Sequence, residues 1–270
     1  MSQQYLHRDD APFGESVWEQ IDRVVVEAAK SQLSGRQLLH TLGPFGLGFK
    51  ALPLSDTKTD GKTIEGVTVT ASSVMPVAML RSDFTLSGRD IAAYEQSGTP
   101  LDLAPATTAA IAVARQEDQL VYSGFPPLGA TGLLNTSGAR SIKLKAWNEV
   151  GAAVEDIIGA ATELDNAGFH GPYTLALTPK SYNFLFRRYP QGSQTELEHI
   201  RQIATDGVVK AAGIPGGGAL VDTSGPFANI VLGQDLMTSF VGPAPGEYQF
   251  SIFETVALWL RVPQAVCVLK

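Results

Sequence analysis

From Glu15 to Leu33 the apolar residues Val17, Ile21, Val24, Val25, Ala28 and Leu33 fall on one stripe. That spacing predicts an amphipathic helix whose apolar face needs a partner, with Gly35 as its stop. A hairpin follows. Its polar tip, Ser55-Asp56-Thr57-Lys58-Thr59-Asp60-Gly61-Lys62, is flanked by strand-like segments that include 64–70 and 74–80, and Asp60-Gly61 is a turn dipeptide. Two isolated strands are marginal in water, so this arm must lie against the rest of its own fold or a neighbouring subunit.

Asp102 as a cap and Pro105 in the first turn open a second helix, which runs to Tyr122 with an alanine-rich face and is broken at Gly124. A third carries Trp147, Val150, Val154, Ile157, Ile158, Ala161 and Leu164 at helical spacing, with Gly168 as its stop. Tyr173 to Thr178 reads as a buried strand. Short helices follow, one opened by Thr178-Pro179 and one carrying Leu197, Ile200 and Ile203. From Gly213 onward the pattern turns to strands at 219–221, 230–232, 236–241, 248–252, 255–262 and 265–269. Helices early and strands late make the expected class α+β, in one continuous fold.

Charge alters this picture in one respect. Only 17% of the 270 residues are charged while 44% are hydrophobic, a sparsely charged surface that suits burial against copies of the same chain. The net charge is −7 and no basic run exceeds Arg187-Arg188, which argues against a nucleic-acid partner. There is no stretch of about 18 apolar residues to span a membrane, and the first residues do not resemble a secretory signal. A cytoplasmic location is the expectation. The single cysteine, Cys267, sits in the apolar run 265–269 and reads as a buried, inert thiol.

Catalytic chemistry is hard to assemble from these residues. His7, His40, His170 and His199 have no metal-ligand spacing, so neither a metal site nor a cofactor is expected. Residues 213–218 are glycine-rich but lack the Gly-Lys-Ser/Thr ending of a phosphate loop. No Gly-x-Ser-x-Gly elbow appears. Glu117 and Asp118 are adjacent helical positions that point in different directions, and read as solvated or interface charges rather than an acid pair.

The residues do carry a family resemblance. Ala11-Pro12, Trp18-x-x-Ile21-Asp22, Gln32-Leu33-x-Gly35-Arg36, Gly43-Pro44-Phe45-Gly46, Phe84-Thr85-Leu86, Asp102-Leu103, Glu117-Asp118, Gly132-Leu133-Leu134, Gly171-Pro172-Tyr173-Thr174-Leu175, Asn183-Phe184-Leu185, Gly233-Gln234-Asp235-Leu236 and Glu254-Thr255 resemble, in order, an encapsulin shell protein. This family, also called the linocin-type bacteriocin family, is similar to the major capsid proteins of tailed phages. The resemblance implies the Hong Kong 97 type capsid fold. Residues 1–50 would hold the N-terminal helix and the start of the peripheral domain, 51–82 the extended loop, and 83–132 the peripheral domain with its spine helix. Residues 133–235 would form the axial domain, and 236–270 strands shared by both.

The implied function is a compartment rather than an enzyme. About 60 copies would close an icosahedral shell in which every heterologous contact is satisfied. The shell would enclose a cargo enzyme through its C-terminal targeting peptide, commonly a ferritin-like protein or a dye-decolourising peroxidase, for iron storage or oxidative-stress defence. Carried over by position, Leu33, Arg36 and Leu39 are candidates for binding the cargo peptide, or Leu33 and Leu39 belong to the subunit's own core. Arg187, Arg188, Gln191 and Gln194 match the loop around the fivefold pore, where an arginine ring would favour anions; the arginine pair also suits a helix C-terminus. A prophage or viral capsid protein, and a bacteriocin or protease activity, are the alternative readings.

Overall fold

The computed structural model describes residues 5–58, 67, 70–190 and 192–270. In chain order its helices are α1 (Glu15–Lys30), α2 (Gly35–Leu38), α3 (Gly88–Ser97), α4 (Ala104–Ser123), α5 (Ala152–Asn166), α6 (Pro179–Phe184) and α7 (Glu196–Ile200). Its strands are β1 (His40–Leu42), β2 (Ala51–Lys58), β3 (Thr70–Pro76), β4 (Ala78–Ser87), β5 (Gly124–Phe125), β6 (Ala130–Thr131) and β7 (Arg140–Ile142). They continue with β8 (Tyr173–Leu177), β9 (Gly207–Lys210), β10 (Gly218–Asp222), β11 (Ala228–Leu232), β12 (Met237–Ala244), β13 (Glu247–Leu260) and β14 (Val266–Leu269).

The arm is a two-stranded antiparallel sheet, β2 on β3, with Ala51 opposite Pro76 and Lys58 opposite Thr70. The expected Asp60-Gly61 turn, and most of the strand expected at 64–70, lie outside the described residues. The strand expected at 74–80 is two strands. Pro76 has no N–H to continue the ladder, Val77 turns its own to the Lys50 carbonyl, and from Ala78 the chain enters another sheet as β4.

That sheet runs β1-β11-β13-β12, with β4 also paired to β13. The two strands expected at 248–252 and 255–262 are one fourteen-residue strand, β13, buried continuously from Phe250 to Leu258. Glu254, between the two expected segments, keeps its side chain inside the subunit, where it accepts a hydrogen bond from Arg36. Helices α1 and α4 cover one face, where Val17, Trp18, Ile21 and Val25 meet Ala106, Ala110 and Val113 over Phe84, Phe240, Phe250 and Ile252. The alanines keep α4 slim enough for α1 and the sheet to approach it together. Helix α1 ends at Lys30, three residues before the expected Leu33.

A second sheet, β7-β14-β10-β8-β9, carries α5 across one face. The helix begins at Ala152 rather than Trp147, because the backbone turns at Gly151 with φ +103°. The Trp147 indole instead donates to Asp156 at 2.8 Å. Cys267 lies in this core, where burial pushes its thiol up to about 12. The sheets are joined by one apolar cluster, in which Leu120, Val121 and Tyr122 of α4 meet Ala219 and Val221 of β10, Ile230 and Leu232 of β11, and Val256 and Leu258 of β13.

Candidate functional site

The sequence motifs 32–36, 117–118, 233–236 and 254–255 are far apart in the chain and converge on one place. Helix α2 is a single turn, too short to be stable alone. It is held by α4. One Asp118 carboxylate oxygen accepts the N–H of Gly35 at 2.8 Å, and the other accepts the N–H of Ser34 at 3.1 Å. The Ser34 hydroxyl bonds both Asp118 and, at 3.0 Å, the Tyr122 hydroxyl. A Cβ on residue 35 would stand 3.2 Å from Val121 Cγ1 and 3.3 Å from Asp118 Oδ1, so glycine lets the turn dock this closely. Gly35 therefore opens a helix rather than ending one. Burial pushes the Asp118 carboxyl up, against the pull of these hydrogen bonds.

Docked in this way, α2 delivers Arg36 to three carboxylates. Its Nε donates to Glu117 Oε1 at 2.8 Å, and its Nη2 donates both to Glu117 Oε2 at 2.6 Å and to Glu254 Oε2 at 2.7 Å. Its Nη1 donates to Asp235 Oδ1 at 2.7 Å. Glu117 on α4 and Glu254 on β13 are fully buried, whereas Asp235, in the turn before β12, is half exposed. Burial alone would lower the guanidinium's proton affinity; hydrogen bonding and the charge of Glu117, then Glu254 and Asp235, hold it above its ordinary value. The reading of Glu117 and Asp118 as solvated or interface charges is corrected here. Both lie inside the subunit, because one answers a guanidinium and the other caps a helix.

The turn before β12 is fixed by β13. The Gln234 N–H donates to Thr255 Oγ1 at 2.6 Å, and the Thr255 N–H returns to the Gln234 carbonyl at 2.9 Å. A Cβ on Gly233 would collide with the Thr255 hydroxyl, so glycine keeps Asp235 within reach of Arg36.

Among the expected cargo-binding residues, Arg36 reaches the surface along the edge it shares with Asp235. Leu33 packs with Ala29 and Ala114, and Leu39 lies in the cluster between the sheets. Both leucine side chains are buried beneath that edge, the core alternative for them.

In the expected pore loop, Arg187 turns inward. Its Nη1 donates to the Trp147 carbonyl at 2.7 Å, its Nε to the α6 carbonyl of Phe184 at 3.1 Å, and its Nη2 pairs at 2.9 Å with Glu196, which is fully buried. These contacts tie Arg187 to the subunit at the start of the loop. Arg188 and Gln194 are exposed, an isolated antiparallel bridge joins Arg188 to Thr195, and Gln191 lies outside the described residues. Among the described residues no group of His, Cys, Asp and Glu is arranged to hold a metal ion, and no helix is long and apolar enough to cross a membrane.

Two sheets on a long helix, with a separate two-stranded hairpin, define a class: the capsid-type fold. The fold matches the virus-like particle from Pyrococcus furiosus with a TM-score of 0.74 at 22% identity, covering 94% of this chain and 99% of that one. The capsid of an empty GTA particle matches with a TM-score of 0.59 at 18% identity, covering 88% of this chain and 89% of that one. Within that class, a family model described as encapsulating protein for peroxidase matches residues 3–257, and the chain belongs to this family. The type 1 encapsulin shell protein EncA of Myxococcus xanthus is 29% identical over 98% of this chain and 96% of its own length. A diheme-cytochrome-encapsulin shell fusion protein of Kuenenia stuttgartiensis is 30% identical over 94% of this chain and 72% of its own.

Proposed function

We propose that this chain builds a closed icosahedral compartment in the cytoplasm, with about 60 copies in the simplest arrangement, and encloses a cargo enzyme held by its C-terminal targeting peptide. The observation that carries the reading is the agreement with named shell proteins along almost the whole chain, at near-equal length. The chain's part is structural: it confines another protein's catalyst and contributes no reacting group. Redox cargo suits this reading, since similar shells are fused to a diheme cytochrome or, in Pyrococcus furiosus, to a ferritin-like protein. Such cargo would serve iron storage or defence against oxidants.

The cargo peptide would lie along the surface edged by Arg36 and Asp235 and by the exposed side of α1, where Val26 is uncovered. Leu33 and Leu39 would support that edge from below. Arg188 and Gln194 would face the fivefold opening, where a ring of Arg188 side chains would admit anions more readily than cations. Particles purified from the native cells test the cargo reading. An enzyme is expected to co-purify with them, and removing its C-terminal segment is expected to leave the particles empty. Co-purification unaffected by that truncation, or particles with no enzyme inside, contradicts it.

A further inference from the structure

The ion cluster around Arg36 is unbalanced, and the imbalance has a place to go. Glu117 and Glu254 each approach the same Arg36 Nη2, at 2.6 and 2.7 Å, so two buried carboxyls crowd one nitrogen. Asp235 takes Nη1. Three carboxylates therefore share one guanidinium, and the two that are fully buried have no second cation among the described residues of the cluster. The other oxygen of Glu254, Oε1, is buried and has no hydrogen-bond partner. A buried, unpaired carboxylate oxygen is expensive, and one added proton removes most of that expense.

We propose that Glu254 is kept as a neutral carboxylic acid, and that losing this proton as pH rises loosens the joint between α2, α4 and β13. The groups facing Glu254 are Arg36 from α2, Glu117 and beyond it Asp118 from α4, and Asp235 from the turn before β12. Asp118 is satisfied separately by the N–H groups of Ser34 and Gly35. Burial, then the charge of Glu117, drives the Glu254 carboxyl well above its ordinary range, against the opposing pull of Arg36. A carboxyl raised in the folded protein gives its full stabilising contribution at pH below its unfolded value. That contribution is lost as pH climbs through the folded value. The subunit is thus built with a joint that weakens as pH rises, opposite to the usual carboxylate, which weakens a protein in acid.

Infrared spectroscopy of the assembled particle tests this. The wild type at neutral pH is expected to show the C=O band of a protonated, buried carboxyl, and Glu254→Gln to lack it. The apparent melting temperature of the wild type is expected to fall as pH climbs from the ordinary glutamate range and to level off once the band has titrated away, and that fall is expected to flatten in Glu254→Gln. Should the variant not assemble, wild-type particles grown on glutamate labelled with carbon-13 in its side-chain carboxyl give the same answer: the band must shift with the label, which leaves Asp118 untouched. A wild-type spectrum with no such band, a band indifferent to the label, or a band that survives in Glu254→Gln overturns the proposal.

Discussion

Replacing Arg36 by alanine is expected to lower subunit stability by about 3–5 kcal/mol, because it strips the cation from two buried carboxyls that stay behind. Glu117 and Glu254 are buried away from the surface, and Arg36 is the cation that both share. Denaturant titration of the variant checks the magnitude. Losing a buried partner differs from losing the whole cluster, and a triple variant separates the two. Arg36→Met combined with Glu117→Leu and Glu254→Leu removes the charges together, and is expected to recover most of the lost stability, since apolar packing of similar volume commonly replaces a buried ion cluster at little cost. An Arg36→Ala protein as stable as the wild type would show that the carboxyls are satisfied in some other way.

Excising the arm is expected to abolish closed particles while leaving the subunit folded. Strands β2 and β3 pair only with each other among the described residues, and Val74 is 60% exposed on the free subunit. A hairpin of this kind gains its stability from whatever it lies upon, and in the proposed shell a neighbouring copy would supply that surface. Joining Pro53 to Val74 through a two-residue Asn-Gly turn keeps the base of the hairpin and removes its length. The expected product is soluble, with the far-ultraviolet circular dichroism of a folded α+β protein, and elutes as small species. Closed particles of wild-type size from this variant would show that assembly does not depend on the arm.

The sequence revealed the helices with clear stripes and left hidden what depends on distant partners. Val17, Ile21 and Val25 recur at helical spacing, and the structure buries that stripe against α4. Asp102 read as the cap of α4, and its carboxylate accepts the Ala104 N–H at 3.0 Å. Glycine was harder to place: Gly35 has the same local appearance whether it stops one helix or lets another dock, and Val121, 86 positions away, decides between them. Charge misled at one place. Glu117-Asp118 looked solvated because the guanidinium that answers Glu117, and Glu254 with it, lies on a helix far earlier in the chain. A usable signal was present, since a lone carboxylate inside an apolar run such as 250–258 implies a buried partner. The family resemblance reached further than periodicity, because its motifs mark the positions where α2, α4, β12 and β13 meet.

Closure of this chain into a shell shows in the mass and shape of the purified protein. Native mass measurement with negative-stain electron microscopy is expected to give hollow spheres of roughly 20 to 40 nm, near 1.7 MDa for about 60 copies of a 28.7 kDa chain. A monodisperse species of 28.7 kDa at working concentration, with no particles in the field, would contradict it.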